Sequence, residues 1–169
     1  MSQELLSNGA FDDDSAAWLI NSSNDLPLLY RWDDPILATD GVTPDTLDFL
    51  ALLGDASSEV SLLSQAVEIP AWATTLTATG YVLIRTEESS DQVYDRAFVE
   101  LGSAAPNEFG AWTNQSEIDG WTLFEGTLDV SASAGTAVVF RLRATMDSST
   151  STRFYFDSLT LVAESCALP

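Results

Sequence analysis

Apolar and polar positions alternate over much of this chain, and the alternation sets its elements. Val60–Ile69, Thr75–Thr86, Tyr94–Leu101, Trp121–Leu128, Ala137–Thr145 and Arg153–Val162 are rich in β-branched and aromatic residues and read as strands. Turn chemistry bounds them: Pro70 and Gly102 each follow one, Ser133-Ala134-Gly135 precedes another, and Asp147-Ser148-Ser149-Thr150 precedes the last. Asp45–Leu53 admits either one short helical turn or a strand. There is no long helical period and no internal repeat. Short strands punctuated by turns predict an all-β fold, an antiparallel sandwich.

The same alternation assigns faces, because successive strand side chains point to opposite sides. In Ala137–Thr145, Val138, Phe140, Leu142 and Ala144 share one face, and Val139, Arg141 and Arg143 share the other. The first set is the core side, since two arginines on alternate positions are not buried unpaired. By the same rule Ala97, Val99 and Leu101 oppose Arg96, Phe98 and Glu100. Leu76, Ala78, Gly80, Val82 and Ile84 oppose Thr77, Thr79, Tyr81, Leu83 and Arg85. Four arginines thus point away from the core, with Tyr81 and Phe98 among them.

That concentration matters because of the charge. Asp and Glu number 26 against six basic residues, all arginine, and the formal net charge is −20. With 46% hydrophobic residues this is a folded domain with an acidic skin rather than an acidic tail. Such a surface repels nucleic-acid phosphates and anionic membranes and suits high salt or abundant divalent cations, so halophilic origin and calcium affinity are both compatible with it. A chain of 169 residues reads as one domain, residues 1–169, with a sandwich over 5–162 and a tail over 163–169. At this length roughly 70% of the unfolded surface is buried on folding, so no staple is needed. The single cysteine, Cys166, has no partner for an internal disulfide and reads as an incidental thiol. No run of about 20 apolar residues marks a membrane span, and MSQELLSNG has no signal-peptide pattern.

Two bookends carry a family likeness. LLSNGAFDDDSAAW (5–18) and RFYFDSLTLVAESC (153–166) resemble the opening and closing strands of secreted bacterial jelly-roll modules, the carbohydrate-binding, MAM-like and discoidin-like β-sandwiches. The middle looks similar to the same group: a Gln-containing strand meets an Ile69-Pro70 turn, a long strand and an acidic loop follow, then a Tyr94-Asp95 strand. A Gly120-Trp121 strand, an arginine-bearing strand and a closing Phe-x-x-Asp strand complete the order. The likeness runs from Leu5 to Leu161, and only Asn21–Thr43 matches nothing in it. It implies a single jelly-roll domain, secreted or at a cell surface with its leader trimmed.

The resemblance also implies a structural calcium tying the first strand to the last, with Asn8, the backbone of Phe11, Asp12 and Asp157 as ligands. Calcium takes six to eight oxygens and needs no histidine. The alternative is that Asn8-Gly9 makes a turn, Asp12 to Asp14 are solvated and Asp157 caps a strand. A second acidic cluster, Glu87, Glu88, Asp91 and Asp95, reads as a flexible hairpin.

The absence of histidine and lysine removes Ser-His-Asp and Cys-His catalysis, histidine zinc sites, Schiff bases and phosphate-binding lysines. Carboxylate chemistry remains. Glu100 and Glu125 lie on strands and could form a glycosidase pair, but 26 acids offer many such pairs, so the chain reads as not an enzyme. Of the five tryptophans, the resemblance buries Trp18 and Trp121. Trp32, Trp72 and Trp112 lie outside its pattern, and an exposed indole stacks well on a sugar ring. The expected role is a non-catalytic glycan-binding module using Tyr81, Arg85, Arg96, Phe98, Arg141 and Arg143, or Trp32 and Trp112. Arginines beside aromatics favour acidic sugars. The alternative is a structural or adhesive domain that docks a neighbouring surface protein through the same arginines. The blandest account pairs those arginines with local acids such as Glu100.

Overall fold

Two antiparallel sheets face each other in the computed structural model, which describes residues 1–46, 48–89, 91–102, 107–116 and 118–165; Cys166 lies outside the described residues. The strands are β1 (Ser2–Glu4), β2 (Leu19–Ser22), β3 (Leu29–Arg31), β4 (Phe49–Gly54), β5 (Val60–Glu68) and β6 (Thr75–Thr86). After them come β7 (Arg96–Leu101), β8 (Asn107–Thr113), β9 (Thr122–Asp129), β10 (Ala137–Thr145) and β11 (Thr152–Glu164). The six-stranded sheet runs β3-β4-β11-β6-β9, with β1 also on β11, and the five-stranded sheet runs β2-β5-β10-β7-β8. β1 pairs Ser2–Glu4 with Val162–Glu164, so the sheet extends past both ends of the 5–162 span. Among the described residues no helix is long and apolar enough to cross a membrane.

The core lies between the sheets and is built from the inward sets read off the alternation. Phe140, Leu142 and Ala144 of β10 meet Ala97, Val99 and Leu101 of β7 and face Leu76, Ala78, Val82 and Ile84 of β6. Trp18 packs on Phe11 and Phe140, at ring separations of 5.4 and 6.3 Å, and donates its indole N–H to Asn8 O at 2.9 Å.

The opening loop reaches β11 at a bulge between Asp157 and Thr160, where Ser158 takes a φ of 53°. Gly9 accepts a hydrogen bond there from Leu159 N at 2.9 Å, and a Cβ on Gly9 would lie 2.0 Å from Leu159 O. Only glycine permits that approach. This is the physical content of the Asn8-Gly9 motif.

The unmatched Asn21–Thr43 segment forms β2, β3 and a six-residue helix, α1 (Pro35–Asp40). Asp34 caps α1 by accepting from Ile36 N, Pro35 opens it, and Gly41 closes it at a φ of 65°. Beyond β3, which is itself an edge strand of the six-stranded sheet, the segment lies over part of that sheet's outer face. Leu37 and Val42 pack there against Tyr30, Leu50, Leu52, Leu83 and Tyr155, making a second small core. The outward assignment of Leu83 holds for the strand, yet Leu83 is buried because this cover sits on it.

Candidate functional site

The six side chains expected to share one outer face do not share one. Tyr81 and Arg85 belong to β6, in the six-stranded sheet, whereas Arg96, Phe98, Arg141 and Arg143 belong to β7 and β10, in the five-stranded sheet. Both groups face away from the common core, so the sandwich stands between them. Alternation tells inward from outward but does not say which sheet a strand joins.

On the five-stranded sheet the register places Arg141 opposite Glu100 and Arg143 opposite Phe98. Glu100 Oε1 accepts from Arg141 Nε at 2.5 Å and from Arg143 Nε at 2.8 Å, and Oε2 accepts from Arg143 Nη2 at 3.2 Å. Glu100 points outward yet is only 3% exposed, because the two guanidinium groups roof it. Burial alone would raise its carboxyl pKa, but the Arg143 hydrogen bond and the charges of Arg143 and Arg141 outweigh burial and lower it. The local pairing with Glu100 is therefore present. It is also incomplete: both terminal nitrogens of Arg141 and Nη1 of Arg143 have no protein partner among the described residues.

The Arg143 guanidinium carbon lies over the Phe98 ring, 4.4 Å from its centroid, a cation–π contact. Arg96 extends the strip from β7 and is exposed. Val139 and Leu19 flank it, 42% and 70% exposed. Two cations share one buried carboxylate, and Glu108, paired with Glu100 in the register of β8, is a further acid acting on Arg143.

The other arginines serve the opposite sheet. Arg153 binds Asp55 through Nε, Asp40 at 3.1 Å and Glu87 at 3.2 Å, while Tyr155 donates to Asp40 at 2.5 Å. The two bonds to Asp40 pin the end of α1 to β11. Arg85 donates to Asp40 O at 3.4 Å and to Asp119 at 3.3 Å. It lines a groove of about 800 Å³ at the end of β6, between the 86–91 and 114–119 loops.

The expected tryptophans separate as well. Trp112 is committed to the core: its ring meets Phe124 and Phe156 edge-on at 5.1 and 5.5 Å. It folds back over Gly110, where a Cβ would lie 2.4 Å from the indole. Trp72 packs against the same core. Trp32 is 53% exposed on the cover, beside Arg31 at 6.0 Å. Trp121 is half-buried against the second core and clips the cover by donating to Thr43 O at 2.8 Å. Glu100 and Glu125 lie on opposite sheets, which removes them as a carboxylate pair.

The acids expected to cluster are dispersed. Glu87 pairs with Arg153, Glu88 accepts from Ser149, Asp91 lines the groove, and buried Asp95 accepts from Thr152 at 2.6 Å and Asp147 N at 3.0 Å. Glu59, not foreseen as important, is fully buried and accepts from Ser22, Ser23, Asn24 and Ser61.

The calcium positions do not converge on a common centre: among the described residues the opening loop and Asp157 meet only through Thr46. Its hydroxyl lies 3.3 Å from Ala10 O and 3.1 Å from Asp157 Oδ1. Asp157 also accepts from Asp45 N at 2.7 Å, Thr46 N at 3.1 Å and Ser158 N at 2.6 Å. Those four donors fill the roughly four acceptor sites of a carboxylate. Asn8 spends its side chain on its own loop, accepting from Asp13 N and donating to Asp14 O and Ala16 O, while Asp12 is exposed. As arranged, these oxygens do not fit a calcium shell of six to eight ligands. Among the described residues no group of three or more His, Cys, Asp or Glu side chains is placed to hold a metal ion.

No family model matches the sequence, and no curated protein matches it. Solved structures do. A family 61 carbohydrate-binding module in complex with β-1,4-galactotriose is 13% identical, with a TM-score of 0.60 over 96% of this chain and 99% of that one. A family 16 carbohydrate-binding module is 14% identical, with a TM-score of 0.54 over 93% and 98%. A Stig cyclase from Fischerella sp. TAU, in complex with an indole compound, is also 14% identical, with a TM-score of 0.62 over 99% and 100%. At these identities the likeness is one of fold, a jelly-roll β-sandwich shared by the carbohydrate-binding modules and the cyclase alike.

Proposed function

We propose that this chain is a non-catalytic, extracellular glycan-binding module that takes acidic sugars on the outer face of its five-stranded sheet. The observation that carries the reading is the Arg141–Arg143 pair. One buried carboxylate holds both guanidiniums, one of them over the Phe98 ring, and unspent N–H donors remain at their outer ends. A guanidinium with paired donors matches a carboxylate in shape as well as charge. Because Glu100 and Phe98 already fix these side chains, little rotamer freedom is lost on binding. The separation of Glu100 from Glu125 and the lack of histidine support a role without catalysis.

The test is calorimetric titration with oligogalacturonates at low salt, for wild type and for Arg143→Gln. The reading expects binding that weakens with added salt and falls at least tenfold in the variant. Equal binding by both proteins, or no binding of any uronic-acid oligosaccharide, overturns it.

A further inference from the structure

The groove at the end of β6 has a different chemistry from the arginine face. We propose that it is a second sugar site, selective for short neutral saccharides; the proposal rests on the reading of this chain as a glycan-binding module. At about 800 Å³ it lies within the 300–1,000 Å³ range of small-molecule pockets. Ile84 and Ile118 supply apolar surface, and the rest of the described lining is polar.

The polar groups mix donors with acceptors. Arg85 and the Gln115 amide donate; Asp91, Asp119 and the Gln115 carbonyl accept. Hydroxyls, which both donate and accept, satisfy such a set. An anionic sugar does not, because Asp91 and Asp119 flank the only cation of the described lining and Asp119 already engages it at 3.3 Å. A wholly apolar ligand would leave these groups desolvated and unpaired.

The walls are held in place before any ligand arrives. Ile84 N donates to Ile118 O at 3.0 Å, stitching Ile118 to the end of β6. Asn114 accepts from Tyr94 N and Asp95 N and donates to Gln92 O, which ties it to the strand that follows the acidic segment. Thr113 and Ser116 close a tight turn by two mutual bonds of 3.0 and 2.9 Å. Gln115 projects from that turn, exposed, with no hydrogen-bond partner for its side chain among the described residues. A rigid frame bearing a few uncommitted polar groups is what recognition of a small hydroxylated ligand requires.

The experiment uses ¹⁵N-labelled protein titrated separately with galactotriose, cellotriose, mannotriose and trigalacturonate, with shifts mapped by residue. At least one neutral trisaccharide is expected to move the Gln115 side-chain amide and the backbone amides of 113–119, leaving 98–101 and 139–143 unmoved. Gln115→Ala combined with Asp119→Asn changes two exposed side chains and is expected to keep the melting temperature while weakening that sugar at least tenfold. Neutral sugars that bind only on the arginine face, or that bind the double variant as they bind wild type, overturn the groove. Trigalacturonate shifting 98–101 while every neutral sugar is silent overturns the groove and leaves the glycan reading standing. Silence from all four sugars overturns both.

Discussion

Replacing Glu100 by Gln probes the feature on which the arginine face depends. The carboxylate side chain is 4% exposed and takes three charge-assisted hydrogen bonds from side chains that are 22% and 30% exposed. Removing one partner of a fully buried ion pair costs about 3–5 kcal/mol. Here the guanidiniums reach water and can turn toward it, and solvent screening brings the expected loss to about 2 kcal/mol. For a domain of this size about 1 kcal/mol corresponds to roughly 2–4 °C, so the melting temperature should fall by roughly 4–8 °C at neutral pH.

The pH dependence has a definite sign. Arg143 and Arg141 hold the Glu100 carboxyl below its ordinary pKa despite burial. Its contribution is therefore complete above the unfolded value of about 4.3 and is lost as pH falls through the lower folded value. Thermal melts followed by circular dichroism, at steps from pH 7 to pH 3, should show a gap between wild type and E100Q that closes below about pH 4. Equal melting temperatures at pH 7, or a gap indifferent to pH, would refute the claim that Glu100 organises the two arginines.

Other expectations follow from the same geometry. Trp112→Ala should cost about 3–5 kcal/mol in urea denaturation because the ring fills core space, whereas Trp32→Ala should stay within about 0.5 kcal/mol. Burial raises the Asp157 pKa to about 6 against the opposing hydrogen bonds of Thr46, Ser158 and Asp45. Its contribution is then full below about pH 4 and is lost as pH rises through about 6, so the stability difference between wild type and D157N should shrink over that window; a constant difference contradicts it. Millimolar calcium should leave the melting temperature unchanged in excess salt, and a saturable rise would show that the opening loop and the Asp157 region rearrange into an oxygen cage. Raising sodium chloride from about 0.05 to 1 M should raise the melting temperature by screening a net charge of −20, and a fall would contradict it.

Local pattern specified the strands well where both faces obeyed it. β6 and β10 begin and end where their alternation does, and their inward residues form the core. β8 escaped notice because Gly110 interrupts its pattern and a register shift opposite it, between Val99 and Glu100, breaks the alternation of pairs. The helix α1 had its signals in plain order, Asp34-Pro35 before and Gly41 after, but only six residues between them. What alternation does not carry is the assignment of strands to sheets. Arg85 and Arg141 were equally outward, and only the strand order shows that they serve opposite sides. Leu83 shows the same limit, since a segment from elsewhere in the chain decides whether an outward leucine meets water.

That cover gives the two sheets unequal fates under thermal fluctuation. The middle of β11 is shielded on both sides, by the main core and by the segment carrying Leu37 and Val42, while β10 is shielded on one. The cover rests on a few apolar contacts, the bonds of Arg153 and Tyr155 to Asp40, and the Trp121 clip. The part after β3 can therefore lift as a unit, while β3 stays paired with β4 and Leu29 stays in the main core. Amide exchange should then report two levels of protection for Tyr155 and its neighbours, and limited proteolysis should cut first between Trp32 and Gly41, leaving a jelly roll whose bared Leu50, Leu52, Leu83 and Tyr155 make it prone to self-association.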